Sequence, residues 1–139
     1  MKPTDEQFAQ INAIEQECFH GSWTAETLLS ELNSPLNYLV TEERGGAIAG
    51  FALGRVAADE GELFQIATLP EFRRQGIAGR LLDRLHAGMR ERGAACCFLE
   101  VRSRNAGAIA LYEKSGYERI ALRKNYYPDD DAVIYRRSL

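Results

Sequence analysis

The chain has 139 residues, 45% hydrophobic and 27% charged, which is enough for one hydrophobic core and too little for two. Seventeen basic residues against twenty acidic ones give a net charge of −3, the wrong sign for a protein that holds phosphate backbones through its overall field, so nucleic acid is excluded as a first partner. No apolar run approaches the roughly 20 residues of a bilayer span, and Met1-Lys2-Pro3-Thr4-Asp5-Glu6 has no signal-peptide core, which points to a cytoplasmic protein without a membrane partner.

Thr4 and Gln7 fit a capping box. Phe8, Ile11, Ile14 or Glu15, and Cys18 then recur at helical spacing, so a helix is expected from about Asp5 to Cys18. A second short helix follows Thr24 with Leu28, Leu29 and Leu32 on one side, and Pro35 bars its extension. Asn37 to Glu42 and Ala47 to Ala57 flank Gly45-Gly46, a pair that permits the positive backbone angles of a tight antiparallel hairpin.

Glu62 to Thr68 is an apolar strand ending before Pro70. Gly76 to Arg92 carries Ile77, Leu81, Leu82, Leu85 and Met89 on one helical stripe that Gly93 closes. Cys96 to Val101 reads as a buried strand, Asn105 to Ser115 as a helix stopped by Gly116, and Tyr117 to Leu122 and Ala132 to Arg136 as strands around Asp129-Asp130-Asp131. This order predicts a single α/β (α+β) layered domain over residues 1–139, with helices on both faces of a mixed sheet.

The junction Arg73-Arg74-Gln75-Gly76-Ile77-Ala78-Gly79 joins a strand to an amphipathic helix. A helix start offers unpaired N–H groups and a positive dipole end, and glycines let a ligand approach the main chain, so this corner is an anion cradle. Neither a dinucleotide fingerprint nor a Walker loop is present. On the residues alone, Gly76 and Gly79 also suit a plain turn and a helix-packing contact. Cys18, Cys96 and Cys97 are odd in number and in no metal-ligand spacing, so neither a disulfide nor a bound metal is expected. His20 and His86 stand apart from any ligand set.

Arg73-x-x-Gly76-x-Ala78 between strand and helix resembles the acyl-CoA pyrophosphate loop of the GNAT superfamily of N-acetyltransferases. Leu63-Phe64-Gln65-Ile66-Ala67, Leu99-Glu100-Val101-Arg102 with Asn105, Ala110-Leu111-Tyr112-Glu113, Gly116-Tyr117 and Arg123-Lys124-Asn125-Tyr126-Tyr127-Pro128 extend the likeness. Together they resemble the RimI type, which acetylates the N-terminal alanine of a small-subunit ribosomal protein, number eighteen. The resemblance covers about Ile14 to Ile134. It implies the GNAT fold, a mostly antiparallel mixed sheet that splays near its middle, with acetyl-CoA wedged between the strands at Leu63 to Thr68 and Cys96 to Val101.

By the same resemblance, backbone groups of Ile66, Ala67 and Thr68 face the acetyl and pantetheine portion. Arg74, Gln75, Gly76, Ile77, Ala78 and Gly79 hold the pyrophosphate, and Asn105 contacts the pantetheine arm. Glu100 is the general base and Tyr112 the proton donor to the leaving sulfur. Trp23, within the Phe19 to Trp23 loop, and Tyr126 and Tyr127 contact the acceptor, expected to be a protein N-terminus. A monomer or weak dimer is expected.

Chemistry leans the same way. A peptide α-amine has a reference pKa of about 7.7–8.0 against about 10.4 for lysine, so it needs less help to attack unprotonated. Strand alternation puts Glu100 on the face of Phe98, beside apolar walls, where it relays a proton; the other reading is a solvated strand-end carboxylate paired with Arg102. Tyr112 is equally readable as a core aromatic. A lysine or small free amine as acceptor, and a non-catalytic acyl-CoA-binding subunit, are the competing functions.

Overall fold

The structure is a computed structural model that describes residues 3–139; Met1 and Lys2 of the N-terminal segment discussed above lie outside the described residues. Helix α1 spans Asp5–Phe19 and α2 spans Ala25–Asn33, followed by strands β1 (Asn37–Arg44), β2 (Ala47–Ala57) and β3 (Glu60–Thr68). Helix α3 (Ile77–Glu91), β4 (Cys96–Arg102), α4 (Ala106–Lys114), β5 (Glu118–Tyr127) and β6 (Asp130–Ser138) complete the chain.

The expected capping box is formed. Thr4 accepts from the Gln7 N–H while Gln7 accepts from the Thr4 N–H, satisfying two of the donors a helix start leaves orphaned. Thr24 caps α2 in the same manner. Of the three leucines expected on one side of α2, Leu28 and Leu32 are buried but Leu29 is exposed, because positions four apart share a helix face while the intervening neighbour is rotated away. Gly45 and Gly46 both have positive φ, as the β1–β2 turn requires.

One mixed sheet has the order β1-β2-β3-β4-β6-β5. All its neighbours are antiparallel except β3 and β4, which run parallel and pair only from Glu60 to Glu62 and from Cys96 to Phe98. Beyond Glu62 and Phe98 the two strands part. Five strands run beyond the segments expected from sequence: β1 continues to Arg44, β3 begins at Glu60, β4 reaches Arg102, β5 continues to Tyr127, and β6 spans Asp130–Ser138. A short 3-10 turn at Pro70–Phe72 was not foreseen; Pro70 sits at its start, where a missing N–H costs nothing.

Helix α3 buries Leu81, Leu82, Leu85 and Met89 with Leu99, Val101, Tyr112, Tyr117 and Val133 on one face of the sheet, each large aliphatic side chain contributing about 1.5–3 kcal/mol on removal from water. Small residues make this closeness possible. A Cβ on Gly88 of α3 would lie 2.1 Å from the Tyr38 ring. On the opposite face, α1 and α2 cover only β1 to β3, through Ile11, Ile14, Leu28, Leu32, Phe51 and Leu53. Helices therefore stand on both faces as expected, but the α1 side of β4 and β6 is left open to a hollow lined by Phe98, Glu100, Arg123 and Ile134.

Candidate active site

The Arg73–Gly79 corner has the geometry of an anion cradle. Arg74 and Gly76 both adopt left-handed backbone, with φ of 64° and 76°, turning the chain so that α3 starts at Ile77. The Arg80 N–H closes the first turn on the Gly76 carbonyl, so the N–H groups of Ile77, Ala78 and Gly79 have no partner within the helix. A Cβ added at Gly79 would meet nothing within 4 Å. The hollow in front of it is lined by Gly76, Ala78 and Gly79 with Arg73, Arg74 and Lys114 against the single carboxylate of Asp83, a net cationic rim on a positive helix end that fits a diphosphate. Gln75 lies off this lining; its carbonyl accepts from Arg80 Nη1 at 3.0 Å, while Arg80 is clamped to Glu42 at 2.6 Å.

From this corner a cleft of about 1060 Å³ runs between the parted strands. Ile66, Ala67 and Thr68 line it, with one edge of β3 paired to β2 and the other unpaired beyond Glu62. The Thr68 carbonyl is already taken by Arg73 Nε at 3.1 Å, whereas its buried hydroxyl oxygen has no partner. Asn105 also lines the cleft. Its Oδ1 caps α4 by accepting from the Ala108 N–H at 3.2 Å, which leaves its amide NH₂ available to donate.

Glu100 projects into the cleft on the open face, since its neighbours Leu99 and Val101 pack into the α3 core. Its surroundings are not the apolar walls expected from sequence. The Arg123 guanidinium lies 3.2 Å from its carboxylate, and the expected alternative partner, Arg102, binds Asp129 at 2.7 Å. Tyr112, only 8% exposed, lines the cleft from α4. Burial alone pushes its phenol up to about 12, so the hydroxyl holds its proton across the physiological range.

Trp23 and Tyr127 both line the cleft, but Tyr126 is outside its lining, exposed, with the Arg123 guanidinium 5.5 Å from its ring centre. Tyr127 lies under Arg102 at 4.0 Å, and burial followed by the Glu100 charge raises its phenol. Asp130 ties this end together, accepting from Ser103 Oγ and from the Arg104 and Asp131 N–H groups.

Two polar residues of the site escape a reading by motif. Glu15 is fully buried and accepts from the Trp23 N–H at 2.8 Å and Ser22 Oγ at 3.0 Å, which sets the loop carrying Trp23. Its helical phase beside Ile14 was the available signal. Gln65 is 6% exposed, lines the cleft, and has a buried Oε1 with no hydrogen-bond partner. Cys97 is a poor nucleophile, its thiol pushed up to about 11 by burial. Among the described residues no three His, Cys, Asp or Glu side chains gather as a metal site.

The family model described as the Acetyltransferase (GNAT) family matches residues 8–117. The [Ribosomal protein bS18]-alanine N-acetyltransferase of Escherichia coli strain K12 is 41% identical over 126 residues, covering 87% of this chain and 84% of that protein. The protein of the same description from Haemophilus ducreyi is 37% identical over 128 residues, covering 91% and 87%. The crystal structure of the Escherichia coli ribosomal-protein-S18-alanine N-acetyltransferase superposes with a TM-score of 0.90 at 34% identity, covering 99% of this chain and 91% of that one. The splayed sheet, the loop before α3 and these likenesses agree: the chain belongs to the GNAT family of acetyltransferases.

Proposed function

We propose that this chain, as a single GNAT domain over residues 1–139, transfers acetyl from acetyl-CoA to the N-terminal alanine of a ribosomal protein in the cytoplasm. The observation that carries it is one cleft joining the Gly79 cradle at one end to Glu100, Tyr112, Trp23 and Tyr127 at the other, in a chain 41% identical to a bS18-alanine N-acetyltransferase.

Acetyl-CoA supplies a thioester whose carbonyl carbon is open to attack by an amine. The N–H groups of Ile77, Ala78 and Gly79, with Arg73, Arg74 and Lys114 around them, hold the diphosphate. The Asn105 amide steadies the pantetheine arm. Glu100 accepts a proton from the acceptor amine, directly or through water, as its nitrogen bonds to the acetyl carbon. A free N–H on the unpaired edge of β3 donates to the oxyanion that develops. Tyr112 donates to the sulfur as the C–S bond breaks, and solvent returns to it the proton that Glu100 releases.

The test is CoA release with a peptide beginning in alanine, against the same peptide blocked at its α-amine and against polyamines and internal-lysine peptides. Release dependent on the free α-amine is expected. Equal rates with the blocked peptide would overturn the reading.

A further inference from the structure

Gln65 is polar and almost wholly buried, and its carbonyl oxygen faces no donor. An orphaned buried amide oxygen destabilises the fold, and such groups are rare in folded proteins. An apolar side chain would fill the same space without that cost, so the amide calls for a donor that arrives from outside the chain.

The sheet register says where that donor sits. Gln65 is paired with Leu53, and Leu53 packs under α1 and α2, so the Gln65 side chain lies on the α1 face. Glu100, flanked by Leu99 and Val101 that point into the α3 core, lies on that same face from the other side of the splay. Both line one cleft, together with Trp23 and Tyr127. A β-bulge beside Gln65, where Leu53 and Gly54 pair with Gln65 and Leu63, turns the strand at this point, and bulges re-aim side chains next to sites.

We infer that Gln65 is an acceptor-binding residue: its carbonyl, buried and unpartnered in the free protein, turns into the cleft by rotation about the terminal amide torsion and takes one N–H of the attacking α-amine while Glu100 takes the other. This rests on the α-amine transfer proposed above. A neutral primary amine has two N–H bonds and one lone pair. Two acceptors on opposite sides of the wedge hold both N–H bonds and leave the lone pair free to meet the thioester carbon. The Glu100 proton is the one transferred; the proton facing Gln65 stays on nitrogen and becomes the amide N–H of the product.

The experiment compares wild type with Gln65→Leu on a peptide beginning in alanine and on the same peptide beginning in N-methylalanine, which has one N–H fewer. Acetyl-CoA affinity and the melting temperature are measured for both proteins. Removing an unsatisfied buried amide is expected to hold or raise the melting temperature, while kcat/KM for the alanine peptide falls about tenfold or more, the scale of one hydrogen bond to the acceptor. Acetyl-CoA affinity stays within about twofold.

N-methylation is expected to slow wild type more than it slows Gln65→Leu, because the variant has already lost the contact. Equal penalties in the two proteins, an unchanged kcat/KM, or a melting temperature that falls with activity would each overturn the inference while leaving α-amine transfer intact. A wild type inactive on the alanine peptide removes both.

Discussion

The Arg123 guanidinium reaches across β6 to lie 3.2 Å from the Glu100 carboxylate, joining β5, the edge strand of the sheet, to β4, which lines the splay. The pair is part-exposed, with side-chain exposures of 54% and 31%, and such pairs contribute only about 0–1 kcal/mol. Glu100 is therefore dispensable for folding. Glu100→Gln is expected to melt within a few degrees of wild type and to bind acetyl-CoA normally, while kcat falls about 10²–10⁴-fold, the usual cost of losing a general base. Melting curves and initial rates on one preparation check this. A rate loss matched by a stability loss would assign Glu100 a structural role.

Tyr112 makes a prediction about pH. With its phenol pushed up to about 12 by burial, it stays protonated through the range where the acceptor deprotonates, near 7.7–8.0 for a free α-amine. kcat/KM for an alanine peptide is expected to rise through that range and stay level to about pH 10. Tyr112→Phe lowers kcat about 10²–10⁴-fold without changing the shape of the profile or the affinity for acetyl-CoA. A variant that binds acetyl-CoA poorly but turns over normally at saturation would make Tyr112 a binding residue.

At Gly79 stability and binding are expected to move in opposite directions. A Cβ there meets nothing in the protein, and alanine outranks glycine inside a helix by about 0.8–1 kcal/mol, so Gly79→Ala raises the melting temperature of the free chain. The same methyl group occupies the space a diphosphate needs. Acetyl-CoA affinity is expected to fall at least tenfold by calorimetry, and unchanged affinity would place the nucleotide elsewhere.

His86 couples the core to pH. Arg137 Nη1 donates to His86 Nδ1 at 2.8 Å, so the ring proton resides on Nε2 and is donated to the Tyr117 oxygen at 2.6 Å. Burial, then the charges of Arg137 and Arg90, lower the imidazole from 6.5 to about 4. The unfolded chain thus binds a proton at His86 that the folded chain refuses between those values. Stability is full above about pH 6.5 and falls by up to about 3 kcal/mol as pH drops to 4. Urea midpoints at pH 7 and pH 4.8 check this above the range where Glu42 and Asp129, both held low by arginine, begin to titrate. A flat profile would contradict it.

Much of this was legible in the residues because local rules and the fold agree. The Thr4–Gln7 box, the Gly45-Gly46 turn and the α3 stripe each follow from chemistry within one or two helical turns or a single hairpin. The splay was legible only through the family likeness, since the point where β3 and β4 part depends on pairing between residues more than thirty positions apart. Arg123 beside Glu100, the withdrawal of Tyr126 from the cleft and the burial of Gln65 escape any local pattern for the same reason. Each is set by which strand lies next to which, and β5 is separated from β4 by β6 in the sheet.

The most direct measurement is tandem mass spectrometry of a peptide that begins with alanine and carries an internal lysine, after incubation with this protein and acetyl-CoA. One acetyl group on the alanine nitrogen, absent when the Glu100→Gln protein is used, is the predicted result. Acetylation at the lysine Nζ, or no acetylation of the peptide, would contradict the account.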